Sequence, residues 1–174
     1  QMCIRDRACA VTDAGGQAFR VAAVPDELRA LAETIEDQLV RADVLITTGG
    51  LSVGQGDTVK EVLAPLGSVR FDAVAMSPGR QLGVGTVEGT PIFCLPGDPV
   101  SAQIAFETFV RPVLRQIAGR TSLHRSSLPA TMSEGWHSPI GKREFVPVPV
   151  SGSPTRGYRA EPTAPPGPVR LHRL

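Results

Sequence analysis

Three short stretches of this chain set glycine beside hydroxyl, acidic or basic side chains: TTGGLSVGQGD at residues 47–57, SPGRQ at 77–81 and LPGDPVS at 95–101. Glycine lets a backbone approach a ligand closely, and free N–H groups at the start of a following helix favour negative charge. The chemistry open to such loops is anion holding by the backbone, with phosphate the natural guest. Thr48, Gly49, Gly50, Ser52 and Gly54 are the candidates in the first loop, Pro78, Gly79 and Arg80 in the second. The third offers Pro96, Gly97, Asp98, Pro99 and Ser101. Arg80 is the best placed cation, because a turn projects it towards the rim that the loops share. A β-branched side chain at Gly50 or Gly54 is expected to harm ligand binding more than folding.

Taken singly, each loop is also read as a tight turn and nothing more. No Gly-Lys-Ser/Thr follows the first loop, which excludes a P-loop, and its position does not suit the dinucleotide fingerprint. Asp57 has two readings, a cap for the helix that follows it or a ligand for a phosphate-bound metal. Lys60 is read as a solvated helix residue or a partner of Asp57 one turn away. Cys94 lies between Phe93 and Leu95, which favours buried strand packing over a nucleophile. His124 and His137 have no partner at ligand or base spacing, and no Ser/His/Asp order emerges.

The elements that must position these loops follow from the apolar pattern. ACAVTDAGG is the end of a helix closed by Gly15 and Gly16, and FRVAAV a short strand. DELRALAETIEDQLVRA carries Leu28, Leu31, Ile35 and Leu39 at spacings of three and four, one stripe of an amphipathic helix. DVLITT is a β-branched run between helices, the mark of a buried parallel strand. A helix from Asp57 to Leu66 follows the first loop. SVRFDAVAM alternates like a strand, and LGVGTV and TPIFCL flank the hairpin signal EGT. Asp98 caps a helix running to Gly119, with Pro99 at its first position. Strands alternating with crossover helices predict a three-layer α/β domain with a mostly parallel sheet. After Arg120 the texture becomes rich in proline and glycine, and a small β module is predicted.

The 174 residues suffice for one buried domain and a small appendage. A formal net charge of +1 leaves no footprint for nucleic acid or an anionic membrane, and aromatics at 5% argue against stacked bases. No apolar run has the length of a membrane span. Three scattered cysteines form neither a disulfide framework nor a zinc spacing, so a cytoplasmic location is expected.

In order and spacing, ITTGGLSVGQGDTVKEVL, VAMSPGRQLGVG and PIFCLPGDPVSAQIAFETFVRP resemble the molybdopterin molybdenumtransferases, the MoeA and gephyrin E-domain group. The resemblance runs from about Ala8 to Gly119, and SPIGKREFVPV resembles the start of that family's C-terminal β domain. It implies molybdenum cofactor biosynthesis: adenylylated molybdopterin and molybdate are the substrates, magnesium assists, AMP leaves, and the metal enters the dithiolene. By the same resemblance the first loop cradles the pterin phosphate, Asp57 is its catalytic and magnesium-binding acid, and Pro78, Gly79 and Arg80 match a Pro-Gly-Lys segment. Pro96, Gly97, Pro99 and Ser101 match the third loop. A homodimer of the full-length protein and a molybdopterin adenylyltransferase partner are also implied.

Departures from the pattern are the acid Asp98 where Asn is common, Gln55 where an acid is common, and a missing opening strand and two missing N-terminal domains. The chain is therefore expected to be a fragment: residues 1–7 a non-native junction, 8–120 the molybdopterin-binding α/β domain, 121–174 a partial β domain with an irregular tail. Alternatives are a molybdopterin adenylyltransferase, a non-catalytic scaffold module, or an inactive truncated product.

Overall fold

The computed structural model describes residues 2–25, 27–51 and 58–162. Helix α1 (Met2–Ala14) ends at Gly15 and Gly16, whose N–H groups bond the carbonyls of Thr12 and Val11, both at 3.0 Å. Those bonds are the paired closure of a Schellman motif. Helix α2 (Leu28–Leu39) leads to strand β1 (Leu45–Thr48), and helix α3 (Thr58–Leu66) leads to β2 (Ser68–Ala73) and the two-residue β3 (Met76–Ser77). Strands β4 (Gln81–Val87) and β5 (Thr90–Leu95) complete the main sheet, in the order β1-β5-β4-β2.

Strand β5 separates the two apolar layers. Ile92 and Cys94 face a cluster with Ile35 of α2 and Val59, Val62 and Leu63 of α3. Phe93 and Leu95 face the other way, onto Ala102, Ala105, Phe106 and Val110, with Ala10 and Val11 of α1 behind. Period-two alternation along one strand thus builds a helix layer on each face of the sheet, the three-layer α/β architecture that the sequence predicts.

The sheet pairing is more antiparallel than the sequence reading expects. Among the described strands, β1 and β5 are parallel, whereas β4 is antiparallel to both β5 and β2. The cause is local. Glu88 and Gly89 take φ values of 50° and 84°, the two positive values of a tight type I′ hairpin, and a two-residue hairpin joins only antiparallel strands. FRVAAV also departs from expectation. It is not a strand, and Phe19 and Val21 stay exposed. A strand exists only where a neighbour takes its backbone bonds, and no described strand flanks this one.

The last long helix is one column of three parts: α4 (Pro99–Ala105), a π turn (Phe106–Val110) and α5 (Arg111–Ile117). Asp98 caps it by accepting the Ser101 N–H at 2.8 Å. In the π turn the Arg111 N–H reaches the Phe106 carbonyl, one residue further back than in an α-helix. Pro112, which has no N–H to give, follows at once.

The chain then turns back along this helix. Arg111 Nη1 donates to the Leu123 carbonyl at 3.0 Å and Arg115 Nε to that of Ser122 at 2.5 Å. Arg125 grips both oxygens of Glu107, at 3.0 and 3.1 Å, and reaches Asp13 of α1 at 2.6 Å. The hydrogen bonds that Arg125 donates to Glu107 and then to Asp13 push its pKa further up. Beyond it lie β6 (Thr131–Met132), β7 (Arg143–Glu144), β8 (Val150–Ser153) and β9 (Gly157–Ala160). Strand β9 pairs with β6 and β8, and β7 pairs with β3.

Cys94 is completely buried, opposite Thr47 in register, and desolvation raises its pKa from 9.0 to about 11, against a smaller lowering by Thr47. The buried Thr47 hydroxyl makes no hydrogen bond of good geometry. The folded state thus holds this proton where the unfolded chain has lost it. Its contribution is complete below pH 9 and fades as pH rises towards 11. The expected loss is about 2–3 kcal/mol over that window. Denaturant titrations at successive pH values check it, and Cys94→Ala should flatten the slope.

Candidate functional site

Parallel pairing places the carboxyl ends of β1 and β5 side by side, with Thr48 opposite Leu95. The first and third glycine loops therefore leave from the same edge of the sheet, where ligands of open α/β folds bind. The Gly49 N–H bonds the Leu95 carbonyl at 3.0 Å, and a Cβ added to Gly97 would stand 3.5 Å from Gly49 Cα. The second loop joins them by another route. Ser77–Pro78 is a cis peptide, and Gly79 follows at φ +88° with its missing Cβ 3.1 Å from the Ser101 carbonyl. A side chain there would be both strained and crowded, so the approach of this loop to the α4 start needs glycine.

Between the second and third loops lies a cavity of about 410 Å³, lined by Ala73, Gly79, Arg80, Gln81, Pro96 and Ser101. Arg80 is exposed at its edge, and the Val74 N–H closes the base of the second loop by bonding the Arg80 carbonyl at 2.8 Å. A second hollow of about 150 Å³ shares Ala73 and Gln81 with the first and reaches Leu51, Lys60 and Phe71. Lys60 lies 5.9 Å from the centre of the Phe71 ring, a cation–π contact. Ala73 and Gln81 were not candidates from sequence. They are register partners at the ends of β2 and β4, and only that pairing brings them to the cavity.

The candidates of the sequence reading are distributed as follows. Gly79, Arg80, Pro96 and Ser101 line the larger cavity; Asp98 and Pro99 form the cap and first position of α4 beside it. Thr48 ends β1 and Gly49 follows it, against the third loop, where a Cβ on Gly97 would meet Gly49. Gly50 does not line the cavity; a Cβ there would fall 2.6 Å from Val59 Cγ2 of the core. Ser52, Gly54, Gln55 and Asp57 lie outside the described residues.

A family model described as "Probable molybdopterin binding domain" matches residues 8–116. Molybdopterin molybdenumtransferase 2 of Mycobacterium tuberculosis is 40% identical over 144 residues, which cover 79% of this chain and 36% of that protein. Gephyrin of Dictyostelium discoideum is 36% identical over 115 residues, 57% of this chain and 16% of gephyrin. Among solved structures, the molybdopterin biosynthesis MoeA protein of Pyrococcus horikosii superposes with a TM-score of 0.74 at 28% identity, covering 91% of this chain and 37% of that one. The chain thus spans about a third of the length of the molybdenumtransferases it matches.

Proposed function

Because this chain belongs to the family of probable molybdopterin-binding domains, we propose that its rim cavity holds the phosphate end of adenylylated molybdopterin while molybdate is inserted and AMP is released. The observation that carries this reading is the meeting of the second and third glycine loops, and the described start of the first, at one sheet edge, with Arg80 and Ser101 facing one cavity. A guanidinium beside a phosphoanhydride stabilises the charge that gathers on the leaving group. Arg80 also offers a planar fork suited to phosphate oxygens.

Magnesium enters this proposal as an ion carried by the substrate's phosphates, which is its usual manner of binding. Among the described residues no three His, Cys, Asp or Glu side chains gather into a metal site, and Asp98 is committed to its helix cap. Assembly as a homodimer, receipt of substrate from a molybdopterin adenylyltransferase and a cytoplasmic location complete the proposal. Among the described residues no helix is long and apolar enough to cross a membrane. The adenylyltransferase reading is less favoured, since relatives at 35% and 40% identity are named molybdenumtransferases and the chain continues past its last helix into a β module.

Two substitutions of opposite sign test the cavity. Asp98→Asn keeps a side-chain acceptor for the Ser101 N–H but removes a negative charge, and Asn caps as well as Asp. Arg80→Ala removes the exposed cation. Each charge is worth about 0.5–1 kcal/mol to a nearby anion, so affinity for pyrophosphate should rise roughly two- to fivefold in the first variant and fall by as much in the second. Calorimetric titration reads both. Unchanged affinity in two well-folded variants would remove the anion from this cavity.

A further inference from the structure

We propose that Glu144 is a positioning residue for the candidate site: it shapes the strand by which the C-terminal module holds the Ser77–Arg80 loop. The parent observation is a pairing far apart in sequence. Strand β7 lies parallel to β3, with Arg143 opposite Met76 and Glu144 opposite Ser77. The Arg143 N–H bonds the Ala75 carbonyl at 2.9 Å, and the Phe145 N–H bonds that of Ser77 at 2.8 Å. Ser77 is the residue before Pro78, and Arg80 at the cavity follows two places later. The loop is thus fixed at its base by the Val74–Arg80 bond and along its entry by β7.

What fixes β7 is the Glu144 carboxylate. One of its oxygens, Oε2, accepts from Trp136 Nε1 at 2.8 Å and from Ser138 Oγ at 2.7 Å. Two donors from the preceding turn converge on one acceptor, and charge-assisted bonds of this length are the strong ones. They draw residues 136–144 into a closed excursion that ends at the pairing strand. They also hold the negative charge of Glu144 on two donors of its own module, although its Cα lies in register with a loop that is proposed to face phosphate. The arginine strap from Arg111 to Arg125 returns the chain along the last helix, whose first turn borders the same cavity. The pairing of β3 with β7 is two residues long, and the bonds that Glu144 accepts add to what its backbone supplies.

The test uses the whole chain and amide hydrogen exchange. In Glu144→Ala, protection should fall about tenfold or more at Arg143 and Phe145, and with them at Val74, while the amides of β5 keep theirs. Trp136 is the single tryptophan, so its fluorescence should shift to the red in the same variant. Glu144→Gln, which retains an acceptor, should restore most of the protection. Parental exchange at Val74 and Phe145 in Glu144→Ala would overturn the proposal. Should that variant fail to fold, Ser138→Ala removes one of the two donors, and exchange must then be intermediate; parental exchange there overturns it equally. A second measurement rests on the functional reading above: pyrophosphate affinity should fall about threefold or more in Glu144→Ala. A parent chain that binds no pyrophosphate would sink the anion cavity, and the exchange data would still decide the role of Glu144.

Discussion

Gly50→Val is expected to destabilise this domain strongly before any ligand is added. Gly50 stands at φ +68°, and its missing Cβ lies 2.6 Å from Val59 Cγ2 and 3.3 Å from Val59 Cβ. A side chain in the left-handed region costs about 1–2 kcal/mol, and overpacking a core contact costs about 1–3 kcal/mol more. Val59 cannot step aside cheaply, because it is buried in the α2–α3 layer against the sheet. The sum, about 2–5 kcal/mol, is a large share of the roughly 5–15 kcal/mol that holds such a domain. Thermal melts should show a midpoint lower by about 5–20 °C. A midpoint within about 2 °C of the parent would show that the first loop can rearrange around the new side chain. This reverses the sequence expectation at Gly50, where binding was to suffer more than folding. The glycine is required there by α3 packing, and no pattern of residue types shows which neighbour a missing Cβ would strike.

The boundary between what the sequence shows and what it hides runs along contact distance. Asp98, Pro99 and Gly119 bracket the last helix as their chemistry predicts, since a cap, a fixed φ and a left-handed stop act within one turn. The hairpin at Glu88–Gly89 is equally local. The α2 stripe holds in part: Ile35 is buried and Leu31 and Leu39 pack beside it, but Leu28 at the first turn stays exposed. Sheet order is another matter. The pairing of β1 with β5 joins residues that no short-range signal connects, and it alone sets the first and third loops side by side. The second loop is brought in by contacts of Gly79 with Ser101, and its outer support comes from β7, some seventy residues downstream. The sequence reading names candidates in all three loops, Gly50 among them, and does not rank them by which face the cavity. Gly79, Arg80, Pro96 and Ser101 do, and Gly50 serves the core.

The isolated chain is expected to bind anions weakly and to turn nothing over. It spans about a third of the length of the molybdenumtransferases it matches, and transition-state stabilisation needs a closed, preorganised set of donors. Among its described residues the larger cavity carries one exposed guanidinium, that of Arg80. Supplying the rest from a relative should restore the reaction. In a chimera, residues 8–150 replace the matching segment of a complete molybdenumtransferase, and molybdate-dependent release of AMP from adenylylated molybdopterin is measured. Asp57→Asn in that chimera separates the two readings of this acid. Asn caps a helix about as well as Asp, so a capping Asp57 would leave both stability and AMP release unchanged. An acid that acts on the phosphoanhydride would not. Loss of one preorganised electrostatic contact costs about 10²–10³ in rate, and that is the fall expected with the melting temperature preserved. Turnover by the isolated chain, or full activity in the Asp57→Asn chimera, would refute the corresponding assignment.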